Sequence, residues 1–180
     1  THGQVNQFTI TVADSSVAAA ALNDLDAKTT QTITTTDVQI ITGDSAAIKT
    51  LYTAERAFAD LGNEDVNVNS GTIDVADLNT ISSATSGIVT ATVSDGGIST
   101  LEGLNDTGGQ VNALTIAITD TKVDAAKLNV INGKTSVDVD TTDVATIEGI
   151  ASEIKTLYSA AGVANLGNEA IALTESISVA

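Results

Sequence analysis

The chain of 180 residues is 42% hydrophobic but only 2% aromatic, so a packed core has to be built from Ile, Val, Leu and Ala. Acidic residues outnumber basic residues by 23 to 7, and the net charge of −16 argues against nucleic acid and anionic membranes as partners, because both attract basic surfaces. Cysteine is absent, which excludes disulfides and thiol chemistry, and no apolar run approaches the ~20 residues that insertion into a membrane requires.

In chain order, each strand signal is followed by a helix signal. Alternation of apolar residues with Thr or Asp predicts strands, whereas Ala- and Leu-rich stretches predict short helices. We expect Asp44, Asp95 and Asp120 to cap the helix that follows each of them, because Asp accepts hydrogen bonds from the first turn. The strands are predicted at 8–12, 32–35, 88–93, 114–118 and 137–139.

Two short motifs alternate along the chain and mark rungs, a rung being one strand followed by one helical segment. The first motif contains Leu-Asn, at 22–23, 78–79 and 128–129. The second ends in glycine, at 38–43, 98–103 and 144–149. Gly43 and Gly149 are expected to end helices. Two longer helices are predicted at 45–59 and 151–160.

The whole pattern recurs at a spacing of 106 residues. Residues 48–52 (IKTLY) return at 154–158, and 61–64 (LGNE) return at 166–169, one residue short of that spacing. A fixed period is typical of units that stack on their neighbours. Tyr52 and Tyr158 occupy matched positions in the two copies, where packing against the next layer is the simplest role.

The fold class that follows is α/β: a solenoid of stacked strand-helix rungs with a parallel β-sheet, forming a single elongated domain. The absence of proline fits strands that donate hydrogen bonds to both neighbours. We assign 1–106 to the first copy of the long repeat and 107–180 to a second, incomplete copy, within one continuous rod. Residue 1 begins in mid-pattern, so we expect the chain to be processed or cut from something longer.

The sequence contains few candidates for catalytic residues. His2 is the only histidine, so a catalytic triad or a zinc site would lack its ligands. Arg56 is the only arginine and has no counterpart in the second copy, so it is not a repeated anion clamp. We predict that the protein is not an enzyme and needs no cofactor.

One carboxylate pair is a candidate cation site. Asp138 and Asp140 lie two residues apart on a predicted strand, which places both on one side of it. They could hold Ca²⁺ or flank a sugar. The simpler alternative is that both face solvent, since their counterparts in the first copy are Thr32 and Thr34.

The segment 17–30 (VAAAALNDLDAKTT) and the two LGNE segments resemble tandem repeats of giant, acidic cell-surface or secreted proteins of marine cyanobacteria. The resemblance covers nearly the whole chain and rests on rhythm. It implies an extracellular or cell-surface location and a structural role, and it carries no catalytic motif.

The main functional hypothesis is a non-enzymatic structural repeat that forms or decorates a filament, surface layer or giant adhesin. Its partners would be copies of itself or adjoining repeats of a longer chain, joined head to tail through terminal strands. The alternative is a calcium- or glycan-binding adhesion module. The residues predicted to form the assembly interface are Phe8, Ile10, Val12, Ile171, Leu173, Ile177 and Val179.

Overall fold

The computed structural model describes residues 6–54, 58–105 and 111–175. Over these residues the protein is a mixed α/β structure in which short parallel strands alternate with short helices. The helices are α1 Ala19–Asp26, α2 Ser45–Thr53, α3 Val75–Ser82, α4 Ile98–Leu101, α5 Ala125–Asn132 and α6 Ala151–Ser159. The strands are β1 Ile10–Thr11, β2 Ser16–Ala18, β3 Ile33–Thr34, β4 Ile40–Asp44, β5 Phe58–Ala59, β6 Asp65–Ser70, β7 Val89–Thr92, β8 Ala113–Thr115, β9 Lys122–Asp124, β10 Val139–Asp140, β11 Thr146–Gly149, β12 Val163–Ala164 and β13 Ala170–Leu173.

Every pairing between named strands is parallel, and the partners typically lie 23 to 25 residues apart in the sequence. Val17 pairs with Ile41, and Ile41 pairs in turn with Val66, so inward-facing aliphatic residues line up from one strand to the next. The sheets have the orders β2-β4-β6-β7-β8, β1-β3-β5, β13-β11-β9 and β10-β12. The sheets are open, and the aliphatic residues predicted from composition fill the core.

The Leu-Asn motif has two separate tasks in the fold. Leu22, Leu78 and Leu128 are fully buried in the core. The asparagine beside each leucine donates its side-chain amide to a backbone carbonyl 24 residues later, which ties one rung to the next. These bonds are Asn23 to Ala47 at 2.9 Å, Asn79 to Gly103 at 2.7 Å and Asn129 to Glu153 at 3.1 Å.

A buried threonine follows each of these asparagines and closes the turn into the next strand. Its hydroxyl donates to a backbone carbonyl of the preceding rung, where an unpaired polar group would be costly. Sequence reasoning missed this role, although the threonines recur at the same spacing as the Leu-Asn motif. The bonds are Thr29 to Phe8 at 2.8 Å, Thr85 to Glu64 at 2.6 Å and Thr135 to Leu114 at 2.7 Å.

Two predictions about helix ends are wrong. The predicted helix at 45–59 ends at Thr53, because Ala54 is extended and the chain turns toward β5, which pairs with β3. Gly43 and Gly149 lie on strands β4 and β11 and precede helices instead of ending them. Both glycines have a positive φ, 154° at Gly43 and 151° at Gly149, which side-chain-bearing residues rarely adopt.

The capping prediction is right for one of the three aspartates. Asp44 accepts a hydrogen bond from Ala47 N at 2.8 Å at the start of α2. Asp95 and Asp120 instead accept from the first residue of the helix one rung back, Val75 N at 2.7 Å and Ile98 N at 2.6 Å. The exposed N–H groups at a helix start are therefore satisfied from the neighbouring rung as well as locally.

Candidate functional site

A Tyr–Glu pair with a buried carboxylate joins a helix to the LGNE turn in the first copy. Tyr52, on α2, donates its hydroxyl hydrogen bond to the Glu64 carboxylate. The same carboxylate accepts from Gly62 N at 2.9 Å and Asn63 N at 3.1 Å, and Glu64 is only 1% exposed. Burial, together with the neighbouring carboxylate, raises the pKa of Tyr52 well above its ordinary value.

The same arrangement recurs in the second copy but is open to solvent. Tyr158 donates to Glu169 at 2.8 Å, and Gly167 N donates to the same carboxylate at 2.8 Å. Partial burial and the hydrogen bond to Glu169 raise the pKa of Tyr158 to about 12. Burial tends to raise the pKa of Glu169, but the hydrogen bonds from Gly167 and Tyr158 outweigh it, and that pKa lies below its ordinary value.

What differs between the two copies is the segment that covers the pair. In the first copy, Thr85 bonds the backbone carbonyl of Glu64, and Ser86 N donates to Gly62 O at 2.8 Å. Strand β7 then pairs with β6. Among the described residues, no segment equivalent to Thr85, Ser86 and β7 covers the pair in the second copy.

The exposed fractions show the consequence. Val66 on β6 is 1% exposed, whereas its counterpart Ile171 on β13 is 45% exposed, and Leu173 is also exposed. We call the surface formed by Lys155, Tyr158, Gly167, Glu169, Ile171 and Leu173 the C-terminal end surface.

Helix α6 adjoins this surface. One face of α6, formed by Ser152, Lys155, Thr156, Ser159 and Ala160, is largely open to solvent. In the first copy, α2 packs against α3, while Ala46, Thr50 and Thr53 of α2 stay exposed. Lys49 of α2 forms an ion pair with Asp77 of α3. Its counterpart Lys155 has no ion-pair partner among residues 6–54, 58–105 and 111–175.

The first rung exposes a second set of apolar residues. Phe8 is 60% exposed, whereas its counterpart Leu114 is 1% exposed beneath its neighbouring strands. Asn6 is also exposed, while its counterpart Asn112 is buried and accepts a hydrogen bond from Val89 N at 2.9 Å.

The residues predicted to form the assembly interface therefore fall into three groups. Phe8, Ile171 and Leu173 are exposed, and Ile10 is half-buried. Val12 is buried in the core and bonds Thr34 O through its backbone, so it is not available to a partner. Ile177 and Val179 lie outside the described residues.

The carboxylate pair predicted to bind a cation, Asp138 and Asp140, lies at the start of β10. Asp138 is exposed. The Asp140 carboxylate already accepts from Thr142 N at 3.0 Å, from the Thr142 hydroxyl and from the Asn165 amide at 2.8 Å, and these bonds lower the pKa of Asp140. In the part of the chain that the structure describes, no group of three or more His, Asp or Glu side chains is placed to hold a metal ion. A calcium site at this pair stays a prediction.

Alkaline titration should distinguish the two tyrosines. We expect tyrosinate absorbance from Tyr158 with a midpoint near pH 12, and from Tyr52 only at higher pH or on unfolding. Because unfolded tyrosine ionises near pH 10, the stabilising contribution of Tyr158 is complete below about pH 10 and is lost as the pH rises toward 12. Spectra of Tyr158→Phe and Tyr52→Phe assign the two midpoints, and a Tyr158 midpoint near pH 10 would contradict the hydrogen bond to Glu169.

No protein-family model, no curated protein and no solved structure matches the chain. Over the described residues, none of the helices has the length and apolar character to cross a membrane.

Proposed function

We propose that this protein is a non-enzymatic structural repeat: a solenoid of stacked strand-helix rungs that forms one elongated rod and stacks end to end with further repeats. Its setting would be outside the cell, in a filament, a surface layer or a giant adhesin, as the resemblance to acidic cyanobacterial repeat proteins suggests. The partners would be copies of the chain or adjoining repeats.

The observation that carries the proposal is the contrast between equivalent surfaces in the interior and at the ends. Interior strands pair on both sides at a step of 23 to 25 residues. Strand β13 exposes Ile171 and Leu173, whose counterparts on β6 are buried, and Phe8 before β1 is exposed where its counterpart Leu114 is buried. An exposed strand edge with apolar side chains is a template for pairing with another chain, which proteins normally avoid unless it is used.

A structural role also suits the way in which the rungs are held together. Asparagine and threonine bonds tie each rung to its neighbour, and Lys122 forms an ion pair with Glu148 across β9 and β11 at 2.6 Å. These ties depend on the repeat and not on a ligand. Stacking units of this kind derive their stability from nearest-neighbour contacts, so a rod can lengthen by adding units that repeat the same core packing.

End-to-end assembly can be tested with charged substitutions on β13. We expect the wild-type chain at high concentration to form linear particles by electron microscopy. The variant Ile171→Lys/Leu173→Lys should weaken self-association measured by sedimentation at least about tenfold, because each lysine would have to be desolvated at the joint. Val130→Lys, at a similarly exposed valine on α5, is the matched control.

Two outcomes would contradict the proposal. One is a wild-type chain that stays monomeric at every concentration reached. The other is assembly that Val130→Lys weakens as much as the β13 variant does, because that result would place the contact on the helical side and not at the end.

A further inference from the structure

We propose that the C-terminal end surface is a specific receptor for one kind of segment: a short helix with a carboxylate in its first turn, followed directly by a Thr-Ser-Gly turn and a valine-rich strand. This deepens the proposed function by naming the chemistry that completes the end of the rod. The segment with this chemistry inside the chain is 76–95, which contains most of α3 and all of β7. We call it the cover segment.

The helical half of the cover segment supplies a partner for Lys155 on α6. In the first copy, α3 packs against α2, and the carboxylate of Asp77 in its first turn pairs with Lys49. The counterpart of Lys49 on α6 is Lys155, which is exposed and has no ion-pair partner among the described residues. A helix seated there as α3 is on α2 would bring its acidic first turn to Lys155.

The strand half of the cover segment would pair with the exposed strand β13. The Thr85 hydroxyl and Ser86 N–H bond the carbonyls of Glu64 and Gly62, whose counterparts are Glu169 and Gly167. Val89 then pairs with Val66, the counterpart of the exposed Ile171.

One bond of the interior arrangement would be missing. In the first copy, Ile88 N donates to the Asp65 side chain at 2.8 Å, and the second copy has Ala170 at that position. The Tyr158–Glu169 pair would become buried under the segment, as Tyr52–Glu64 is under 76–95.

A second copy of the folded chain is a poorer occupant of this surface. Its first helix, α1, has Ala21 where α3 has Asp77, so it offers no carboxylate to Lys155. The threonine that corresponds to Thr85, Thr29, is buried and bonded to Phe8 O within its own chain. Assembly through terminal strands is therefore the weaker use of the end, and a chain that presents the cover segment unpaired should displace it.

The test measures binding of a fluorescent peptide of residues 76–95 to the full chain by anisotropy, at concentrations where the chain is monomeric. The peptide begins one residue after the counterpart of Ala180, so it duplicates nothing that the second copy already has. We expect saturable binding that is at least about tenfold weaker for Lys155→Asp and for Ile171→Lys. Lys28→Asp and Val130→Lys, at exposed positions elsewhere, should bind as wild type does.

A charge exchange makes the test specific. A peptide with Asp77→Lys should bind wild-type chain weakly and should recover most of its affinity with the Lys155→Asp chain, since the pair is then restored with reversed signs. Circular dichroism checks that each variant is folded. In addition, the wild-type peptide should shorten or dissolve any linear particles, because it occupies the end.

The inference fails if the peptide does not bind to a folded chain, if the two end-surface variants bind it as tightly as wild type, or if the charge exchange gives no recovery. These results are separable from those for the proposed function. Linear particles without peptide binding would refute the receptor and leave the structural repeat standing. Peptide binding to a chain that never assembles would support the receptor and refute assembly through terminal strands.

Discussion

Replacement of Gly87 by alanine is expected to lower the free energy of unfolding by about 3 kcal/mol. Gly87 lies in the turn that crosses the LGNE segment. A Cβ atom there would sit 2.5 Å from the carbonyl carbon of Glu64 and 2.7 Å from the nitrogen of Asp65. Both are backbone atoms, so no rotamer change can relieve the overlap, and the two rungs would have to move apart.

Gly97→Ala is the matched control for this prediction. Gly97 has an ordinary φ of −77° at the start of α4, and the nearest atom to an added Cβ would be an Asp120 oxygen at 3.9 Å. We expect its stability to stay within about 0.5 kcal/mol of wild type. Denaturant unfolding monitored by circular dichroism measures both variants. Equal stabilities for Gly87→Ala and Gly97→Ala would show that the rungs do not approach each other as closely as described.

Glu64→Ala is expected to destabilise the protein by about 3 kcal/mol, against at most about 1 kcal/mol for Glu169→Ala. The two glutamates make the same local bonds, to a tyrosine hydroxyl and to a glycine N–H. Only Glu64 is sealed from water by the next rung. Its removal takes the acceptor from the partly buried Tyr52 hydroxyl and Gly62 N–H and leaves a cavity beneath the next rung, whereas water can replace Glu169.

The comparison tests mainly the effect of burial, because both sites share the IKTLY and LGNE segments and the same tyrosine and glycine hydrogen bonds. Thermal unfolding of both variants, with Tyr52→Phe and Tyr158→Phe as companions, is the measurement. A Glu169→Ala effect as large as that of Glu64→Ala in the monomeric chain would mean that the second pair is already covered. In the presence of the peptide 76–95, the Glu169→Ala effect should grow toward that of Glu64→Ala.

The sequence reveals the repeat more reliably than it reveals what each motif becomes. The second motif occurs at 38–43, 98–103 and 144–149 with the same spacing of apolar residues and glycine. In the structure, the first and last occurrences form strands β4 and β11, and the middle one forms helix α4. A six-residue pattern with two apolar positions fits a strand edge and a single helical turn equally well, so neighbouring rungs decide between them.

The same limit applies to the polar residues. Asp95 and Asp120 precede α4 and β9 in the sequence, and local reasoning assigns each to its own rung. Both carboxylates accept hydrogen bonds from the helix one rung back, a choice that depends on how the rungs are stacked. The asparagine of the Leu-Asn motif is similar, because its partner lies 24 residues away and no local signal points to it.

By itself, the sequence determined the α/β class, the parallel strands, the aliphatic core and the 106-residue recurrence, because these follow from composition and from periodicity along the chain. Only the tertiary structure decided which of the residues that match in sequence also share the same environment. Val66 and Ile171, or Tyr52 and Tyr158, are matched in sequence and differ in burial. Burial depends on whether another strand and helix pack against the residue, which is a property of the tertiary structure and not of the local residues.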